Sequence, residues 1–141
     1  MITQALASTF KQELLEGIHN FSSAGGDVFK IALYTSSANL DSATTAYTTS
    51  GESSGSGYTA GGETLTNVGV SLSGTTAYLD FDDVTWAAAT ISAAGALIYN
   101  SSQSNKAVAI LSFGATYSST NGNFQVTFPA ATSTTAIILL N

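Results

Sequence analysis

The chain has no cysteine and no arginine, and it has a single histidine, proline, tryptophan and methionine. Without cysteine there is neither a disulfide framework nor a thiolate metal site. Either redox compartment tolerates that lack. Positive charge is nearly as scarce, since three lysines stand against nine acids and leave a net charge of −6. Gripping a duplex takes several cations to displace phosphate counterions, and arginine is the best bidentate reader of guanine. Nucleic acid is therefore excluded as a partner. Acidic membranes go with it, because no basic amphipathic helix is present. No run approaches the roughly 20 apolar residues of a spanning helix. The N-terminus shows neither the basic region nor the continuous apolar core of a secretory leader, so synthesis in the cytoplasm is expected.

Charged residues of all kinds make up 9% of the 141 residues, against about 25% in an ordinary domain. Ser and Thr take their place, at more than a quarter of the chain. Thr suits strands, while Ser and Gly suit turns. A hydroxyl-rich, charge-poor exterior fits a protein that faces neighbours or a harsh solvent. A β-protein with a plain Thr-rich surface has the same composition.

The length fits one domain, spanning 1–141. One stretch near its start reads as a helix, over about 9–19. Leu6, Phe10, Leu14 and Ile18 recur every four residues, with Lys11, Gln12, Glu13 and Glu16 mostly on other faces. Thr9 and Gln12 fit a capping box, and Gly17, His19 and Asn20 supply stop signals. So short a helix is marginal alone and must dock its stripe on something. Gly25-Gly26-Asp27 then turns the chain into Phe29, Ile31 and Leu33, which alternate as a strand does.

The β body covers about 28–140. The polar passage from Thr35 to Gly62 is long for a loop in a compact domain. It predicts a short strand near Ala43–Ser50 and a mobile glycine-serine tip at Ser50–Gly57, which reads equally as a contact surface or a solvated loop. Val68, Val70 and Leu72 turn at Ser73-Gly74 into Ala77, Leu79 and Phe81, which is a hairpin pattern. At Asp82-Asp83 the parity slips, as at a bulge, so that Val84 and Trp86 reach the core. Ala94–Asn100 and Lys106–Gly114 are apolar on both faces and need cover on both sides. The residues Asn100–Asn105 join them as a hairpin loop. Phe124, Val126 and Phe128 form a strand that Pro129 ends, and Ala136–Leu140 reads as a strand inside a sheet or at a subunit contact. The fold class is mainly β: a β-sandwich or flattened barrel of about eight short antiparallel strands with one N-terminal α-helix packed on it. Doubly apolar strands in so small a domain also point to a homo-oligomer.

Residue types that carry chemistry are few. His19 has no second His or Cys to complete a site, and a His at a helix C-terminus is favoured there by the dipole alone. Asp80, Asp82 and Asp83 are the only carboxylate cluster. Oxygen-rich sites attract calcium, but this is no EF-hand loop. Asp80 and Asp82 share the polar face of one strand, which reads as a solvated edge. Gly55-Ser56-Gly57-Tyr58-Thr59-Ala60-Gly61 misses the dinucleotide spacing and has no P-loop Lys, so it reads as a turn. Asn20-Phe21-Ser22 and Asn100-Ser101-Ser102 match glycosylation sequons, expected to be chance products of a Ser-rich chain. No Gly-x-Ser-x-Gly elbow is present. No catalytic residue, cofactor or metal ligand is expected, and the chain does not read as an enzyme.

FKQELLEGIHNF, GDVFKIALYTSSANL, GYTAGGETLTNV, LSGTTAYLDFDDVTW and GALIYN occur here in that order. Together they resemble a family of small virion structural proteins of tailed bacteriophages, regarded as head decoration (cement) proteins. The likeness runs from about Phe10 to the C-terminus. The family often has an arginine just before GALIYN, where this chain has Ala94. The resemblance implies a protein that binds the outer surface of the assembled head, with the major capsid protein as partner, and stabilises it. Its place would be the virion, and its state a homo-oligomer with a trimer favoured. The alternative is a tail or fibre module that binds host-surface carbohydrate, with Tyr47, Tyr58, Tyr78 and Trp86 as stacking faces. A third reading is a metal-dependent hydrolase built on the three aspartates.

Overall fold

Phe29–Tyr34 (β2) is buried on both faces, and the architecture follows from how each face is covered. The computed structural model describes all residues, Met1–Asn141. Before β2 come β1 (Ala5–Leu6) and α1 (Ser8–Leu15). After it come β3 (Glu63–Thr64), β4 (Asn67–Ser73), β5 (Thr76–Phe81), β6 (Val84–Asn100), β7 (Lys106–Val126) and β8 (Ile138–Leu140). The chain is mainly β, with eight antiparallel strands in two sheets and no closed barrel, as a β-sandwich has. One sheet has five strands in the order β1-β7-β6-β2-β3, the other three in the order β4-β5-β8.

One face of β2 carries Phe29, Ile31 and Leu33, and it looks toward the helix and the smaller sheet. Phe29 stacks on Phe21 at 4.3 Å and lies 5.9 Å from Phe81 of β5, which in turn meets Phe128 at 6.1 Å. These rings join both sheets into a single core, in which Trp86 is 1% exposed. The opposite face carries Ala32 and Tyr34, with Leu97 and Tyr99 beside them on β6. The Thr35–Gly62 passage covers that side. The Tyr34 hydroxyl donates to the Thr48 carbonyl at 2.6 Å, and Tyr47 stacks on Tyr99 at 4.9 Å. Strand β2, Ala94–Asn100 of β6 and Lys106–Ile110 of β7 are therefore covered within one chain, while Leu111–Phe113 stay half-buried and Gly114 exposed.

The passage corrects two expectations. It forms no strand at Ala43–Ser50, only single bridges such as Ala46 to Lys106. Its glycine-serine tip is packed rather than loose. Gly55 and Gly57 lie against Thr90 and Ala89, and Gly62 against Ile31, so closely that a Cβ would overlap backbone atoms. Glycine lets the loop backbone reach the sheet.

The helix is also shorter than the stripe suggested, ending at Leu15. Gly17, at φ +73, closes it: the Gly17 and Ile18 N–H groups donate to the Leu14 and Glu13 carbonyls at 3.2 and 3.0 Å. That is a Schellman ending. The capping box does not form. The N-cap is Ala7, with no side-chain cap, and Thr9 Oγ1 is buried without a partner. The helix begins one residue before Thr9, which places its hydroxyl past the cap position.

The Val68–Phe81 hairpin is present as β4 and β5. Beyond it, the segments expected as separate strands fuse into two long ones of 17 and 21 residues. Repeated register shifts bend this β6–β7 ribbon. Asp82-Asp83 is no bulge inside a strand, because β5 stops at Phe81 and the two aspartates carry the chain from one sheet to the other. Strand β7 stops at Val126, so Phe128 enters the core from outside any strand. The C-terminal β8 pairs with β5, Leu79 opposite Ile138.

Candidate interaction surface

The polar residues singled out in the sequence are mostly tied into the framework. His19 is buried between Glu13 and Asn100. Its Nε2 lies 2.7 Å from Glu13 Oε2, and its Nδ1 lies 2.9 Å from the Asn100 side-chain nitrogen. The Asn100 amide offers only protons on that side, so Nδ1 accepts and Nε2 donates, a tautomer assigned from the partners. Asn100 Nδ2 also donates to Asp27 at 2.8 Å, and the Lys106 Nζ stands 3.5 Å from the other Glu13 oxygen. Burial raises the Asp27 carboxyl, but hydrogen bonds from Asn100, the Asn20 N–H and Gln103 outweigh it and leave the group below its ordinary value. This relay pins α1 and the Asn20–Asp27 turn to the end of β6. Asn100 is fully buried, which removes its sequon from use.

A second cluster was not foreseen. The Glu52 carboxylate accepts hydrogen bonds from the Tyr47 hydroxyl, the Tyr58 hydroxyl and the Gly61 N–H, each at 2.7 Å. Tyr58 in turn accepts the Leu33 N–H at 2.9 Å. Burial first, and then the hydrogen bond to Glu52 and its charge, push the Tyr47 and Tyr58 hydroxyls well above their ordinary range, against the opposing Leu33 N–H at Tyr58. Both act as proton donors that fold the loop around one carboxylate. The GSGYTAG motif belongs to this cover.

Of the solvated edge expected at Asp80 and Asp82, only the exposure of Asp82 is found, and it lies past the end of β5. Asp82 and Asp83 are exposed, but Asp80 is 2% exposed beneath Phe128, Pro129 and Ala130. Its Oδ1 accepts the Phe81 N–H at 2.9 Å, while Oδ2 is buried without a partner. Asp83 accepts the Phe128 N–H at 2.8 Å, which fastens that strap. Nowhere in the chain do three His, Cys, Asp or Glu side chains come together as a metal site.

Of the aromatic residues named for stacking, Trp86 is in the core and packs on Tyr58 at 6.1 Å. Tyr47 and Tyr78 are half-buried. Ala94 lines a shallow hollow of about 260 Å³ with Met1, Ile2 and Ser36, room that a longer side chain would fill.

What remains free is surface. In the smaller sheet Val70, Leu79 and Ile138 form one cross-strand row and Leu72, Ala77 and Leu140 the next. Directly paired residues project to the same side, so that whole face is apolar. Leu79 and Ile138 reach the core, but Leu72 is 73% and Leu140 52% exposed. Between this face and Phe10 and Leu14 of the helix runs an apolar cleft of about 110 Å³. Leu15, at the helix end, is 92% exposed. Charge is distributed unevenly as well: all nine acids lie between residues 13 and 83, and residues 84–141 hold only Lys106. No helix is long and apolar enough to cross a membrane. Comparison with protein families, with characterised proteins and with solved structures finds no match to this chain.

Proposed function

We propose that this protein is a head decoration (cement) protein of a tailed bacteriophage, bound as a homo-oligomer to the major capsid protein on the outside of the assembled head. The observation that carries the reading is the apolar face of the smaller sheet, with Val70, Leu72 and Leu140 open beside the helix cleft. On an exterior rich in hydroxyls and poor in charge, a contiguous apolar patch marks a protein contact. The ordered resemblance of FKQELLEGIHNF through GALIYN to virion structural proteins supports the same assignment, and the acidic, arginine-free composition suits a position away from packaged DNA.

The mechanism is mass action. A protein that binds the closed lattice but not loose subunits stabilises the lattice by its binding free energy. Repeated over many symmetric sites, modest affinity resists internal pressure. Particles made without the protein are expected to lose DNA on heating or chelation, and added protein is expected to co-sediment with them. Leu72→Asp with Leu140→Asp is expected to abolish co-sedimentation while leaving the fold intact. Heads as stable without the protein as with it would end the reading.

One observation favours the tail-module alternative. Tyr117 is 56% exposed in a groove with the Asn123 and Gln125 amides, a pairing of ring face and planar amides that suits a neutral sugar. Copy number in the virion separates the two: hundreds for cement, far fewer for a tail part.

A further inference from the structure

The β6–β7 ribbon has two long edges, and the fold treats them differently. Between Ala89 and Ser92 the β6 edge is covered by loop. Thr90 N–H donates to the Ser56 carbonyl at 2.8 Å, and Ser53 Oγ donates to the Ser92 carbonyl at 2.7 Å. The β7 edge has β1 opposite Ala109 and Ile110, and beyond that no strand. From Phe113 to Val126 the side of β7 away from β6 is open.

An open edge is a template for pairing, and proteins usually blunt it with lysine, proline, a bulge or a covering segment. Here there is no charged residue and no proline between Ala107 and Phe128. Register shifts bend the middle of β7, but Phe124–Val126 pairs in unbroken register with Val84–Trp86 and stays open. Beside it runs a groove of about 590 Å³, lined by Phe113, Tyr117, Asn123, Phe124, Gln125 and Thr127, none of them charged.

The chemistry of the edge selects its occupant. A partner strand bearing charges would have to shed their water against a surface with no counter-charge. An uncharged strand has no such cost. Of the uncharged edge strands in this chain, β1 and β8 are two and three residues long, which leaves the β7 edge itself and β4, which ends the smaller sheet and has no charged residue from Asn67 to Ser73.

We propose that the free β7 edge, Phe113–Val126, is the contact between copies of this chain, with an edge strand of a second copy extending the five-stranded sheet. The proposal rests on the homo-oligomer of the reading above and places its contact; it does not depend on what the apolar face binds, which co-sedimentation with heads tests separately.

Sedimentation equilibrium of the purified chain tests it, with Gln125→Lys on β7 and Ser71→Lys on β4 as edge guards and melting curves to show that each variant folds. Wild type is expected as a dimer or trimer, and Gln125→Lys is expected to fall to the 14.3 kDa monomer. A dimer untouched by Ser71→Lys means β7 pairs with β7, and a ring lost in both variants means β7 pairs with β4. Either outcome supports the proposal. Asn123→Lys, also exposed on β7, is the second guard and takes its place if Gln125→Lys fails to fold. A wild-type monomer at tens of micromolar overturns the proposal, as does an oligomer that both β7 guards leave intact. A monomer whose Tyr117 resonance shifts with a neutral oligosaccharide overturns it in favour of a sugar groove.

Discussion

The Asn100 side-chain amide donates to His19 Nδ1 at 2.9 Å across 81 residues of sequence. This one bond ties the helix end to the end of a central strand, and Asn100 reaches Asp27 with the same nitrogen.

Replacing Asn100 with Leu keeps the volume but leaves a buried imidazole nitrogen and part of a carboxylate without donors. A buried group left unsatisfied costs about 1–3 kcal/mol, more when charged. Asn100→Leu is therefore expected to lower unfolding free energy by about 3 kcal/mol, read from urea denaturation. In a double-mutant cycle with His19→Phe, the two losses are expected to be clearly non-additive. Additive losses would mean that the two residues do not act as a unit.

Glu52 organises the long loop, and Tyr58 links it to β2. Tyr58→Phe removes the acceptor of the Leu33 N–H and one donor to the carboxylate. The expected cost is about 2 kcal/mol, with faster hydrogen exchange at Leu33 and across Thr48–Gly61. Exchange unchanged outside residue 58 would show that the loop is held by packing alone.

Glycine positions separate a packed loop from a free one. At Gly62 a Cβ would fall 1.8 Å from the Ile31 carbonyl oxygen, and at Gly55 2.1 Å from that of Thr90. At Gly74, in the β4–β5 turn, nothing lies within 4 Å. All three have positive φ. Gly74→Ala is expected to cost about 1 kcal/mol, the conformational penalty alone. Gly62→Ala and Gly55→Ala are expected to cost roughly 3 kcal/mol or more, since backbone must move. Equal melting temperatures for the three variants would contradict the packing.

Asp80 gives the fold a pH dependence. Burial raises its carboxyl above the ordinary value, the nearby Asp83 and Asp82 add to that, and the Phe81 N–H opposes it. The folded state therefore holds the proton more tightly than the unfolded chain. The associated stability is full below the unfolded value of 3.8 and is lost as pH rises through the folded one. Asp80→Asn cannot ionise, so it is expected to stabilise at neutral pH, with the gain vanishing in acid. A gain independent of pH would place the effect elsewhere.

Much of the fold was legible because short-range patterns matched the final structure. Val68–Phe81 alternates around Ser73-Gly74 and forms a hairpin. Gly17 stops the helix through its left-handed backbone. The long ribbon was not legible, since Ala115–Asn123 is a run of small and polar residues with no apolar alternation. Its strand conformation is imposed by β6 across the ladder. The Glu52 cluster was invisible for a related reason: its parts lie at 47, 52, 58 and 61 with no periodicity. The usable signal was a lone carboxylate in a stretch rich in tyrosine and glycine, which must find donors if the loop packs. Asp80 was misread because alternation assigns a face to water, and only the crossing of Phe128–Ala130 overhead changes that.

The order of strands in the larger sheet also dictates when the protein can form. Strand β1 waits for Ala109 and Ile110, and β2 waits for Gly95–Asn100. On the ribosome, the N-terminal eighty residues emerge with their principal sheet partner still unmade. Nucleation is thus deferred to the last third of translation, and until then the apolar strand Phe29–Tyr34 is a segment for chaperones to hold.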